Sequence, residues 1–113
     1  MARVEIVESL YMEIEKKFKH EGHKVLDLLE SLKDNPKKGK PLGSVGGLVI
    51  KEIKYKSSRF YFIADGYKLK FYSEKELIDV LLRFVRMSHK KHQQQIINEI
   101  KDILLKIGPE GFK

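Results

Sequence analysis

The sequence predicts an α+β fold, with helices packed on one side of a four-stranded antiparallel sheet. Three observations carry the prediction. Apolar residues recur at three- and four-residue spacing through the first third of the chain. Beyond Gly47 the period falls to two, and short polar turns separate the runs. From about Lys90 the helical spacing returns. A chain of 113 residues suits one domain, 1–113, with one core.

The elements follow in order. Val4, Val7, Leu10, Tyr11, Ile14 and Phe18 form one apolar stripe, predicting a helix over about 4–20. Val25, Leu28, Leu29 and Leu32 form a second, predicting a helix over about 23–34, with Gly22 as the break between them. Asn35-Pro36 ends the second helix, because the residue before a proline is pushed out of the helical region. NPKKGKPLGSVGG (35–47) reads as a connection punctuated by Gly and Pro. Strands are predicted over about 48–56, 59–64, 67–72 and 77–87, joined by Ser57-Ser58, Asp65-Gly66 and SEKE (73–76). Links this short require antiparallel neighbours. For the fourth strand a helix is the competing reading, since Ser73 and Glu76 have capping-box spacing and Leu77, Val80, Leu81 and Phe84 suit a helical stripe. A last helix is predicted over about 90–107, with Ser88 as N-cap and Gly108-Pro109 as its stop.

Strict alternation sorts the strand residues by face. Ile53, Tyr55, Phe60, Phe62, Leu69, Phe71, Ile78, Val80, Leu82 and Phe84 fall on the face that packs on the helices. Glu52, Lys54, Arg59, Tyr61, Lys68, Lys70, Tyr72, Asp79 and Arg83 fall on the other, predicting an open, cationic, Tyr-bearing surface.

Charge and composition narrow the function. The net charge is +7, and the excess lies beyond residue 34, where 17 Lys and Arg face eight carboxylates. A concentrated basic surface favours a polyanion. The sharpest concentration is LLRFVRMSHKKHQQQ (81–95), where Arg83, Arg86, Lys90 and Lys91 stand with His89 and His92 and no carboxylate appears between Asp79 and Glu99. With no cysteine there is no disulfide and no thiolate chemistry, which fits a reducing cytoplasm. The chain has no apolar run long enough for a membrane span, and MARVEIVESLYMEI lacks a signal-peptide core, so a cytoplasmic protein is expected.

Cations interleaved with tyrosines suit single-stranded RNA, with Lys and Arg on phosphates and aromatic rings under bases. Arg59, Lys70 and Tyr72 are candidates for such contacts. RNA cleavage by a 2′-hydroxyl needs only a proton acceptor, a proton donor and cations around the phosphorane, with no metal or other cofactor. Histidine is the usual residue for moving a proton near neutrality, which singles out His89 and His92 as candidates. The i, i+3 histidine pairs, His20/His23 and His89/His92, lack the further ligands of a metal site.

Three stretches resemble the RelE/ParE toxin superfamily, and within it the HigB-like, phage-derived branch. LLESLKDNPKKGKPL (28–42) is similar to the end of the family's helical hairpin. YKLKFYSEKELIDVLLRFVRMS (67–88) resembles its Tyr-Arg strand, acidic turn and Leu-Leu-x-x-Phe-x-Lys-Lys strand. HKKHQQQIINEIKDILLK (89–106) is similar to the basic start of its terminal helix. Lys68 stands for the usual Arg, Met87 for the second Lys, and His92 where the branch commonly has Pro. IKEIKYK (50–56) loosely matches the Glu-Leu-Arg strand, at a spacing to Tyr67 that suggests an extra hairpin.

The resemblance implies a RelE-like fold and the toxin of a toxin–antitoxin system: an mRNA endoribonuclease, often ribosome-dependent, that inhibits translation and is neutralised by a cognate antitoxin. Carried over by position, Lys54 and Lys68 hold RNA phosphate. Arg83 and Arg86 stabilise the transition state with help from Lys90 and Lys91, and His89 or His92 handles a proton. Strict alternation puts Arg83 and Arg86 on opposite faces, so a bulge or the strand end must intervene if both serve one site. Two alternatives stay open: a non-catalytic module of the same fold that binds nucleic acid or a partner protein, and a ParE-like gyrase inhibitor.

Overall fold

The computed structural model describes residues 1–113 and is α+β, built on a five-stranded mixed sheet. The chain runs β1 (Arg3–Ile6), α1 (Glu8–Phe18), α2 (Gly22–Glu30), β2 (Lys40–Val45), β3 (Leu48–Tyr55), β4 (Ser58–Asp65), α3 (Gly66–Phe71), β5 (Leu81–His89) and α4 (Gln93–Lys106). Strand order in the sheet is β1-β5-β4-β3-β2, with β1 parallel to β5 and the other pairs antiparallel.

Several expectations are corrected. The sheet has five strands, not four. Arg3–Ile6, read as the start of a helix, is a strand, because its backbone pairs with Leu81–Phe84. Lys40–Val45, read as connection, pairs with β3 through a bulge at Leu42. The third predicted strand, 67–72, is instead the short helix α3, whose first turn is capped by the Asp65 carboxylate accepting from Lys68 N at 3.0 Å. The longer spacing before Tyr67 is filled by the tight turn after Tyr55 and by β4, so β3 and β4 form the hairpin that the spacing suggested. The fourth predicted strand, 77–87, begins later, at Leu81; the Ser73–Glu76 capping box forms but caps a single 3₁₀ turn, Glu74–Glu76. The break between α1 and α2 lies at Lys19, with φ 40°, while Gly22 is the first residue of α2. Ser88 lies in β5 and does not cap α4, which starts at Gln93 after a 3₁₀ turn over Lys90–His92.

The helices do not share one face. Phe18 of α1 packs on Tyr55 and Phe60, with ring centroids 5.7 and 6.1 Å away, so the α1–α2 hairpin covers the face that carries Ile53, Phe60 and Phe62. Helix α4 covers the opposite face: Gln93 reaches Glu52, Glu99 reaches Arg86, and Lys101 lies against Gly43. The face expected to be open is therefore largely roofed. Ile50, Tyr61 and Ile63 are buried there, as are Ile97, Ile100 and Leu104 of α4. Burying side chains of this size contributes about 1.5–3 kcal/mol each, enough to fix α4 in place. The signal was in the sequence: FYFIA (60–64) is a continuous apolar run, the pattern of a strand covered on both faces.

Candidate nucleic-acid interface

At one end of the sheet four segments carry basic residues, on both faces of the strands. The tight β3–β4 turn, with Lys56 at φ 53°, places Lys54 opposite Arg59, and Arg59 lies opposite Ser88 on β5. Strand β5 then ends in His89, and the 3₁₀ turn Lys90–His92 follows. His89, Lys90 and Lys91 line a shallow depression of about 460 Å³ with Ser57. From α1, Lys17 brings its ammonium to 3.2 Å from His89 Nε2. An ammonium only donates, so this contact uses the lone pair of that ring nitrogen. Lys54, His89, Lys90, Lys91 and His92 are all exposed, whereas the Arg59 side chain is only 11% exposed.

A buried polar layer supports this surface. Glu52, 5% exposed, accepts from Gln93 Nε2 at 2.7 Å and lies 3.9 Å from Arg59 Nε. The fully buried Tyr61 shares a 2.8 Å hydrogen bond with Ser88 Oγ, and burial pushes its phenol above the usual value. At the hairpin tip Glu21 accepts from Lys56 Nζ at 2.8 Å and Tyr55 OH at 3.0 Å; the Lys56 bond, then that of Tyr55, holds its carboxyl below the usual range.

The remaining predicted residues lie elsewhere. A bulge at Val85 shifts the β4–β5 register, so Arg83 faces Ile63 and Arg86 faces Tyr61 on the same side of the sheet. Neither guanidinium is free. Arg83 Nη1 donates to the Pro109 carbonyl at 2.7 Å and lies 3.6 Å from Glu110, while Nε is 3.0 Å from Glu5 without the alignment of a hydrogen bond. Arg86 donates from Nε to Glu99 at 3.0 Å and from Nη1 to the Val85 carbonyl at 2.7 Å, and its guanidinium sits 5.2 Å from the Phe112 ring centroid. Both arginines tie the C-terminal segment to the sheet.

Lys68 shares a cleft of about 300 Å³ with Arg83, but Asp65, Asp79 and Glu110 line it too. Lys54 lines a different groove with Lys38 and Lys40. Lys54, Lys68 and Arg83 therefore do not form one phosphate pocket, because α3 carries Lys68 off the sheet. Lys70 and Tyr72 lie on or beside α3, away from the basic end. Lys17 was missed in the sequence, where nothing connects it to a histidine 72 positions away. No group of three or more His, Asp and Glu side chains converges as a metal-binding set would, and no helix is long and apolar enough to cross a membrane. Comparison with known family models, with characterised proteins and with solved structures yields no match.

Proposed function

We propose that the chain binds single-stranded RNA through its basic end and acts as a translation-inhibiting mRNA endoribonuclease, the toxin partner of a cognate antitoxin. One observation carries the reading: His89, Lys90 and Lys91 line a depression with Ser57 and without a carboxylate, Lys17 of α1 reaches His89 there, and the exposed His92 follows in the same turn. The resemblance to RelE/ParE toxins supplies the activity. Lys54 and Arg59 form a cross-strand pair that suits a phosphate backbone. One of His89 and His92 accepts the 2′-hydroxyl proton as the 2′-oxygen–phosphorus bond forms. The other donates a proton to the departing 5′-oxygen as its bond to phosphorus breaks, leaving a 2′,3′-cyclic phosphate and a 5′-hydroxyl. Lys90 and Lys91 offset charge on the phosphorane.

The non-catalytic alternative is favoured by a specific observation: Arg83 and Arg86, the transition-state groups implied by the resemblance, are engaged with Glu5, Glu110 and Glu99. A translation reaction with mapping of mRNA ends separates the readings. Cleavage ends that fall at least ~10²-fold in both His89→Ala and His92→Ala support the enzyme. RNA binding without new ends supports the module, and inhibition of DNA gyrase without RNA binding sinks both.

A further inference from the structure

Helix α3 presents an aromatic surface that the basic end does not use. Tyr67 and Phe71 are 64% and 62% exposed, and their rings are in contact. Their ring centroids are 4.8 Å apart, and Tyr72 sets its ring edge-on to Tyr67 at 6.3 Å. Exposing two neighbouring rings leaves apolar area in water that a folded chain normally buries.

Beside these rings lies a cleft of about 510 Å³, between α3 and the outer part of the sheet. Its walls include Pro41 and Ser44 of β2, Val49 and Lys51 of β3, and Tyr67 and Lys70 of α3, with no carboxylate among its lining residues. Lys51 is 7% exposed, and its ammonium donates to the Lys37 carbonyl at 2.8 Å, 5.9 Å from the Phe62 ring centroid. An ammonium has three donors, so others remain for an anion. Burial pulls the pKa of Lys51 down, and a bound anion would offset that desolvation.

The cleft is not isolated. Pro41 lines it, and the preceding residue, Lys40, lines a groove of about 300 Å³ with Lys38 and Lys54. Lys54 is the cross-strand partner of Arg59 at the basic end. Lysines therefore line both depressions, which adjoin at the Lys40–Pro41 step of the edge strand β2; the second also has Glu52 in its wall. A flat, sequence-tolerant stacking surface joined to a cationic track matches single-stranded nucleic acid, in which each unit offers a ring and a phosphate.

We propose that the α3 cleft seats an unpaired base of the same RNA strand against Tyr67, with Lys51 and Lys70 on its phosphates and the backbone running past Lys40 and Lys38 to Lys54. The proposal rests on the RNA-binding reading above, and one experiment tells their failures apart. The probe is a fluorescein-labelled 2′-O-methyl single strand of about twelve nucleotides, which cannot undergo 2′-hydroxyl attack, followed by anisotropy. Tyr67→Ala is expected to weaken binding about tenfold with the salt slope unchanged, because it removes a stack and not a charge. Tyr67→Phe retains the ring and keeps wild-type affinity, and an unchanged urea midpoint in Tyr67→Ala rules out misfolding as the cause. Lys70→Ala reduces the salt slope by about 0.7. The same strand annealed into a duplex competes at least about tenfold less well.

Unchanged affinity in Tyr67→Ala, alongside a large loss in the Lys90→Glu/Lys91→Glu double variant, overturns the cleft while leaving the basic end intact. Equal competition by duplex overturns the stacking role. Failure of the wild type to bind the strand removes both proposals.

Discussion

Arg83 and Arg86 show how a residue's chemistry is decided by what reaches it. The Val85 bulge sets both on one face, the arrangement a shared phosphate site would need. The C-terminal segment then occupies them, through Pro109 and Glu110 for Arg83 and Glu99 for Arg86. Their substitution is therefore expected to be read in stability. Arg83, with its side chain 13% exposed, leaves a carbonyl and two carboxylates unpaired when removed, so Arg83→Ala should lose about 2 kcal/mol in urea denaturation. The Arg86–Glu99 pair is more open and Arg86→Ala should lose about 1 kcal/mol.

Tyr61 gives a pH signature. Burial raises its phenol in the folded state, so the protonated form is favoured by folding. That contribution is complete below the unfolded value near pH 10 and is lost as pH rises through the higher folded value. Tyr61→Phe loses the bond to Ser88, about 1 kcal/mol near neutrality, yet its stability should fall less steeply than that of wild type above about pH 10. Equal alkaline slopes in urea titrations would count against this.

Helix α3 is the element on which local pattern and fold disagree. YKLKFY alternates like a strand, but Asp65 caps its backbone and Leu69 anchors it. Asp65→Ala should cost about 1 kcal/mol, and, because it loosens the platform under Tyr67, should also weaken single-strand binding. The hairpin α1–α2 was legible because its stripes are local: Leu10, Ile14, Val25 and Leu29 are spaced as a helix needs, and all are buried. RVEI at the start was not, since four residues carry no period and their strand state comes from a partner at Leu81–Phe84. The basic cluster at 89–92 was legible because its residues are contiguous, and all four are exposed. The roof over Tyr61 was misread because strict alternation sorts one face as polar, whereas FYFIA is apolar without interruption.

For the whole molecule, part of the +7 charge is gathered at Lys90 and Lys91 in one depression and at Lys38, Lys40 and Lys54 in another. If Lys17, Lys54, Arg59, Lys90 and Lys91 each meet a phosphate, they should contribute about −3.5 to the log–log salt slope for single-stranded RNA, to which the lysines of the α3 cleft add their own share. A slope near −1 would mean that most of these cations face solvent. Charge reversal at Lys90 and Lys91 should flatten it by about 1.4 without changing the denaturation midpoint, since both side chains are exposed.

The first strand has a single neighbour, and that neighbour is made roughly 80 residues later. At about 5–20 residues per second, β1 waits on the order of ten seconds during synthesis with its hydrogen bonds unmatched. Until β5 emerges, the nascent chain lacks both the partner that closes the sheet and the His89–His92 segment that follows it. The basic end is therefore incomplete until nearly the whole chain has been made, and any binding that depends on His89–His92 begins only after that point.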